Sequence, residues 1–191
     1  MIPLRLICCF AISLAICGSV AFANETYKID PARSTIAFKV RHMLGTAKGK
    51  FTKFNGTIGV NREQPDTSSV TVSIQAASID TGIAKRDDHL RTADFFDVQK
   101  FPEITFKSQK VNRTGPNTGE IVGNLTMHGV TREITLNVQL LGTPEQAGKD
   151  QTARWRVTTA PIKRSQFAFE PASMIGDDVT VDIQIEATRE K

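Results

Sequence analysis

Apolar and polar positions alternate with period two along most of the chain, the mark of strands with one buried face. In residues 34–43, Ile36, Phe38, Val40 and His42 share one face, with Lys39 and Arg41 on the other. Residues 69–79 set Val70, Val72, Ile74 and Ala76 against Thr71, Ser73 and Gln75. Residues 131–141 gather Ile134, Leu136, Val138 and Leu140, and the C-terminal run gathers Val179, Val181, Ile183 and Ile185. Weaker alternation marks 49–60, 103–111, 119–127 and 153–161. About eight strands with mostly short turn signals between them predict an all-β fold, an antiparallel sandwich or barrel. His128-Gly129 predicts a two-residue hairpin loop with positive φ, and 112–119 a longer one.

One segment breaks the alternation. After Ile79 comes a short, highly charged stretch through Arg91, apolar at Ile83 and Leu90, then the pair Phe95-Phe96, then Pro102 and a new strand. This predicts one or two short helices closing an end of the β structure, with Asp80 or Thr81 as the N-terminal cap. The interior of a barrel of about eight strands is either just filled by side chains or holds one small ligand, and periodicity does not decide between them. Large apolar walls are available from Phe38, Phe51, Phe54, Phe95, Phe96, Phe106, Phe167 and Phe169, which bring no polar atoms needing partners.

The N-terminus reads as an address. Arg5 supplies a positive flank, Leu6 to Cys17 an apolar core, and Ala21-Phe22-Ala23 a small-residue cleavage pattern. Residues 1–23 are therefore expected to be a cleaved secretory signal, and 24–191 a single domain large enough for a sizeable core. Cys8, Cys9 and Cys17 all lie in the signal, so the mature domain is expected to have no disulfide and no thiolate chemistry. The formal charge of +4 includes Arg5, and the balance left without it is too mild to argue for nucleic acid.

Several segments, in order, resemble the YceI-like family of bacterial lipocalin-like proteins that bind polyisoprenoids. Tyr27-Lys28-Ile29-Asp30-Pro31 opens the domain, followed by Ser34-Thr35-Ile36-Ala37-Phe38-Lys39-Val40-Arg41-His42, then Gly49-Lys50-Phe51 and Phe54-Asn55-Gly56. The stretch 78–106, with Arg86-Asp87 and His89-Leu90-Arg91, matches best. Gly123-Asn124-Leu125-Thr126, Gly129-Val130-Thr131, Lys163-Arg164-Ser165 and Gly176-Asp177-Asp178-Val179 complete it. Two positions depart: Arg33 stands where many members carry histidine, and Ala168 where many carry glycine. The resemblance implies a periplasmic lipocalin-like barrel that binds an isoprenoid lipid, its chain ending in a quinone or pyrophosphate.

Other chemistry is weaker. Asp80-Thr81-Gly82 resembles an aspartic-protease triplet, but that reaction needs two carboxylates sharing a proton and no second triplet exists. His42, His89 and His128 lie far apart without zinc-site spacing. His42, on the apolar face, is either a core histidine or a head-group contact. Lys39, Arg41, Lys48, Lys50 and Lys53 form either a solvated face or a contact with an anionic membrane. The expected cavity lining is Ile36, Phe38, Val40, His42, Phe51, Val72, Ile74, Leu90, Phe95, Phe96, Phe106, Leu136, Val138, Phe167, Val181 and Ile183. The expected function is binding, transport or sequestration of that isoprenoid, with no catalytic residues, metal or cofactor besides the lipid ligand. A fatty acid or fatty amide binder is the first alternative, a lipid-processing enzyme and a filled structural module the others. Transient membrane contact is expected, and the oligomeric state is open, a homodimer included.

Overall fold

The computed structural model describes residues 25–143, 151–170 and 174–190, so the signal-peptide assignment, with its three cysteines, lies outside the described residues. The elements are β1 (Glu25–Ile29), β2 (Thr35–His42), β3 (Gly45–Phe51), β4 (Phe54–Val60), β5 (Ser69–Gln75), β6 (Ile79–Asp80), a helix α1 (Ala84–Arg91), β7 (Glu103–Arg113), β8 (Thr118–Met127), β9 (Val130–Gly142), β10 (Thr152–Thr159), β11 (Ile162–Lys163) and β12 (Ile175–Arg189).

These strands close into an eight-stranded antiparallel barrel, as the alternation and the resemblance lead one to expect. Its first three walls are each broken once. β1 and β2 lie end to end along the single long β12, with Ile29 opposite Ala187 and Ile36 opposite Ile183. β4 and β3 pair with β1 and β2 in the same way, and β5 with β6 forms the third broken wall. β7, β8, β9 and β10 follow in order, and β10 pairs with β12.

Each break has a local cause. Between β1 and β2, Asp30 accepts from the amides of Ala32 and Arg33, and Pro31 has no amide to give the ladder. The run expected over 49–60 is two strands rather than one, the first starting at Gly45. Phe51 and Phe54 are both buried although three residues apart. One period-two strand cannot turn both inward, so the chain kinks at Thr52-Lys53, whose backbone groups bond Ser78 and Gln75 instead.

The turn between β8 and β9 has φ of 51° at His128 and 75° at Gly129, the mirror-image hairpin turn that suits strand twist. Around α1 the expected cap is wrong. The residue entering the helix is Ile83, with no side-chain cap, and it is 53% exposed. The bond runs the other way: buried Asp87, in the first turn, accepts from the amide and hydroxyl of Thr81. A carboxylate there also meets the positive helix end.

The outer surface is polar. On β9 the outward residues Thr131, Glu133, Thr135, Asn137 and Gln139 are all exposed. A membrane-spanning barrel has the reverse pattern, apolar outside and polar within.

Candidate functional site

The barrel is plugged at one end and hollow toward the other. Along β12, Ala187 (0% exposed) and Ile185 are buried, whereas Val179, Val181 and Ile183 on the same face are only half-buried. β2 repeats the gradient, with Ile36 buried and Phe38, Val40 and His42 half-buried. The plug is built on Tyr27, whose ring meets Trp155 edge-on at 5.5 Å and whose hydroxyl donates to Glu25 at 2.8 Å. That donor bond answers the polar atom which burying a tyrosine creates. Burial, and then the bond to Glu25, raise the Tyr27 phenol above its ordinary pKa.

Above the plug lies a cavity of about 600 Å³. Its walls are inward residues of every long strand, among them Ile36, Phe38, Val72, Phe106, Leu136, Val138, Val181 and Ile183. Part of its far end is roofed by rings: Phe38, Phe51, Phe96, Phe169, His128 and Phe101 make successive contacts with centroids 4.8–5.9 Å apart. The residues after α1 supply Phe96 and Phe101, and the segment after β11 supplies Phe169.

The mouth is identified by residues that line the cavity and also face solvent: Met43, Leu44 and Met174. The charged and polar groups of the lining are few: His42, Thr81, Arg86, Thr158, Thr159 and Arg164. All belong to the end of the barrel that carries the β2–β3 hairpin and α1. His42 Nδ1 accepts from the Leu44 amide at 3.3 Å, which leaves its other ring nitrogen for a ligand. Arg86 is held by two bonds to Thr81, at 2.7 and 3.0 Å. Arg164 lies over the Phe169 ring at 5.8 Å. Burial pulls its pKa below the ordinary arginine value while Asp177 opposes the shift, and an arginine stays a cation throughout.

Of the residues expected from the sequence to line a cavity, all but Phe167 do. Phe167 is the correction. It is 0% exposed and ends a short 3₁₀ turn, Arg164–Phe167, and Ala168 after it takes φ of 55°. Its ring is an anchor for the roof rather than a wall, and its carbonyl faces His128 Nδ1 at 3.2 Å. Phe95 lines the cavity while stacking edge-on against His89, and His89 Nε2 meets Asp94 at 2.9 Å.

The sequence reading missed both arginines, the rim residues and Trp155. Ile104, Ile121, Leu125 and Ile185 were within reach, since each continues an alternation in its strand. Arg86 and Arg164 carried no such signal, because a turn or helix end sets their direction. Among the described residues, no three of His, Cys, Asp and Glu come together in a set able to hold a metal ion.

The sequence model of the YceI-like domain matches residues 27–187. A UPF0312 protein of Vibrio cholerae is 34% identical over 180 residues, covering 92% of this chain and 93% of that protein. The crystal structure of Burkholderia cenocepacia BcnA superposes with a TM-score of 0.76 at 26% identity, over 84% of this chain and 99% of that one. A polyisoprenoid-binding domain from Saccharophagus degradans shares the fold, with a TM-score of 0.64 at 21% identity over 86% of this chain and 98% of its own. A match that runs from the plug residue Tyr27 to Ala187 opposite Ile29 takes in the whole barrel, and the chain belongs to the YceI-like domain family.

Proposed function

We propose that the protein binds an isoprenoid lipid, a polyprenyl chain ending in a quinone or a pyrophosphate, and carries or sequesters it in the periplasm after its N-terminal signal is removed. The observation that carries this reading is the cavity: about 600 Å³, apolar along its length, with its few polar groups gathered at the mouth. That volume is within the ordinary range for small-molecule sites, and the distribution suits an amphiphile with a long tail and a small head. The tail lies between Phe38, Val72, Leu136 and Val181. The head stays at the mouth, where Arg86 and Arg164 offer planar donors to oxyanions and His42 offers one more. Membership of the family, and the ligand named for the Saccharophagus domain, support an isoprenoid over other lipids.

Energetics favour a carrier. A tail gains about 0.8 kcal/mol per CH₂ on leaving water, but in a bilayer it has already done so. Transfer from membrane to lumen is then nearly balanced, and the lipid can be both taken up and released.

Mass spectrometry of the organic extract of the natively purified protein tests the reading. An isoprenoid at near-stoichiometric amount is expected. A fatty acid or fatty amide in its place would move the protein to a different ligand class, and a lipid-free protein that refuses added polyprenyl ligand would end the proposal.

A further inference from the structure

The open end of the barrel presents three large apolar side chains to solvent: Met43 (71% exposed), Leu44 (91%) and Met174 (60%). Met43 and Leu44 form the tip of the β2–β3 hairpin, and the Met43 amide donates to the Met174 carbonyl at 3.0 Å, so the three make one patch. Single exposed apolar residues are ordinary on a protein surface, but a contiguous group at a cavity mouth is not. All three also line the cavity, so the patch continues into the apolar wall.

The same hairpin is a strip of positive charge. Lys39, Arg41, Lys48 and Lys50 are exposed on its outer face, and residues 35–51 contain no acid. Lys39 and Lys48 stand directly opposite each other in the ladder, a like-charge pairing that works against strand stability. Lys39, Arg41 and Lys48 make no ion pair with a described residue, and Lys50 reaches Asp80 only at 4.0 Å. The acids at the neighbouring start of β12 are engaged elsewhere, Asp177 by Ser165 and Asp178 by Lys163.

We propose that this hairpin docks the mouth of the barrel on a bilayer bearing anionic headgroups. The proposal deepens the carrier reading and rests on it for its purpose, though not for its test. The tip enters the boundary between headgroups and acyl chains, and the cations behind it meet lipid phosphates, the division of labour of interfacial anchors. A lipid tail would then pass along Met43 and Leu44 into the lumen without crossing water. A second copy of the chain is a poorer occupant, because a symmetric hairpin contact would set two rows of lysines against each other.

Vesicle flotation tests this with lipid that contains no isoprenoid. The wild-type protein should float with phosphatidylcholine vesicles containing phosphatidylglycerol, not with phosphatidylcholine alone, and salt should release it. Lys39→Glu with Lys48→Glu should weaken association by more than about tenfold, since each basic residue near an anionic surface is worth about fivefold in affinity. Met43→Ser with Leu44→Ser should also abolish flotation, with melting unchanged because both side chains are exposed. The charge-reversed protein should still take polyprenyl ligand from detergent, which separates docking from ligand binding. The proposal is overturned if the wild-type protein ignores anionic vesicles, if both variants float as it does, or if the tip variant only dissociates a dimer. A protein that docks but carries no isoprenoid supports the docking and removes the carrier reading alone.

Discussion

Phe38 and Gly49 are cross-strand partners in the β2–β3 ladder, and the tip of the phenyl ring covers the glycine. A Cβ on Gly49 would sit 2.4 Å from Phe38 Cζ and 2.9 Å from a methyl of Thr81. The missing side chain is what lets the ring lie against the wall and leave the lumen clear.

Gly49→Ala should therefore push the Phe38 ring into the cavity. The space to receive it exists, so the fold should hold, with a loss of about 1–3 kcal/mol from overpacking. Ligand capacity should fall, read as weaker polyprenyl uptake in a titration run beside a melting curve. Wild-type values in both would show that the ring can turn elsewhere.

The burial gradient along β2 separates two neighbouring positions on one face. Phe38→Asp places a carboxylate beside an open cavity that water can enter, so the protein should fold and lose lipid uptake. Ile36→Asp places it where the cavity floor meets the plug, tightly packed with Ile36 only 5% exposed, and should cost at least about 3 kcal/mol more. Chemical denaturation of the two variants checks the difference. Equal losses would mean that the interior is uniformly packed and the cavity does not exist in solution.

How much of this was legible beforehand differs from part to part. Period-two alternation is a property of each strand alone, so the all-β class, the strand count and faces such as Ile36-Phe38-Val40 could be read directly. The hollow could not, because Val181 and Ala187 carry the same pattern although one lines open space and the other is buried in the plug. What distinguishes them is the diameter and bending of the ring, set by breaks at residues 30–34 and 52–53 that depend on pairing across the sheet. The site was legible to the extent that it is made of strands. Phe167 is aimed by a 3₁₀ turn rather than a pleat, which alternation does not anticipate, and Arg86 in α1 and Arg164 in the 3₁₀ turn are long side chains whose direction is set by the groups they meet in the fold.

Ala168 has φ of 55°, in the left-handed region that side chains rarely adopt. The roof segment of this chain therefore carries strain that glycine would relieve. Ala168→Gly should raise stability by about 1 kcal/mol, the left-handed penalty less the extra freedom glycine brings to the unfolded chain. A melting temperature that drops instead would mean the Ala168 methyl makes contacts worth more than the strain.

The pH behaviour of the roof follows from Asp177. Its carboxylate accepts from the Ser165 amide and hydroxyl, both at 2.8 Å, tying the 3₁₀ turn that carries Arg164 to the start of β12. The backbone bond first, and the hydroxyl bond second, hold its pKa below the ordinary value of 3.8. A depressed carboxyl stabilises the folded form at every pH above that ordinary value, and the contribution is lost as pH falls through the lower, folded-state value. The tie should therefore be complete at neutral pH and loosen only in strong acid. Ser165→Ala removes the hydroxyl bond and keeps the amide, so the Asp177 pKa should rise part of the way back, as a carboxyl-carbon NMR titration would report. Amide exchange across residues 164–167 should quicken at a correspondingly higher pH in that variant. An Asp177 titration curve identical in both proteins would show that the hydroxyl bond is not formed in solution.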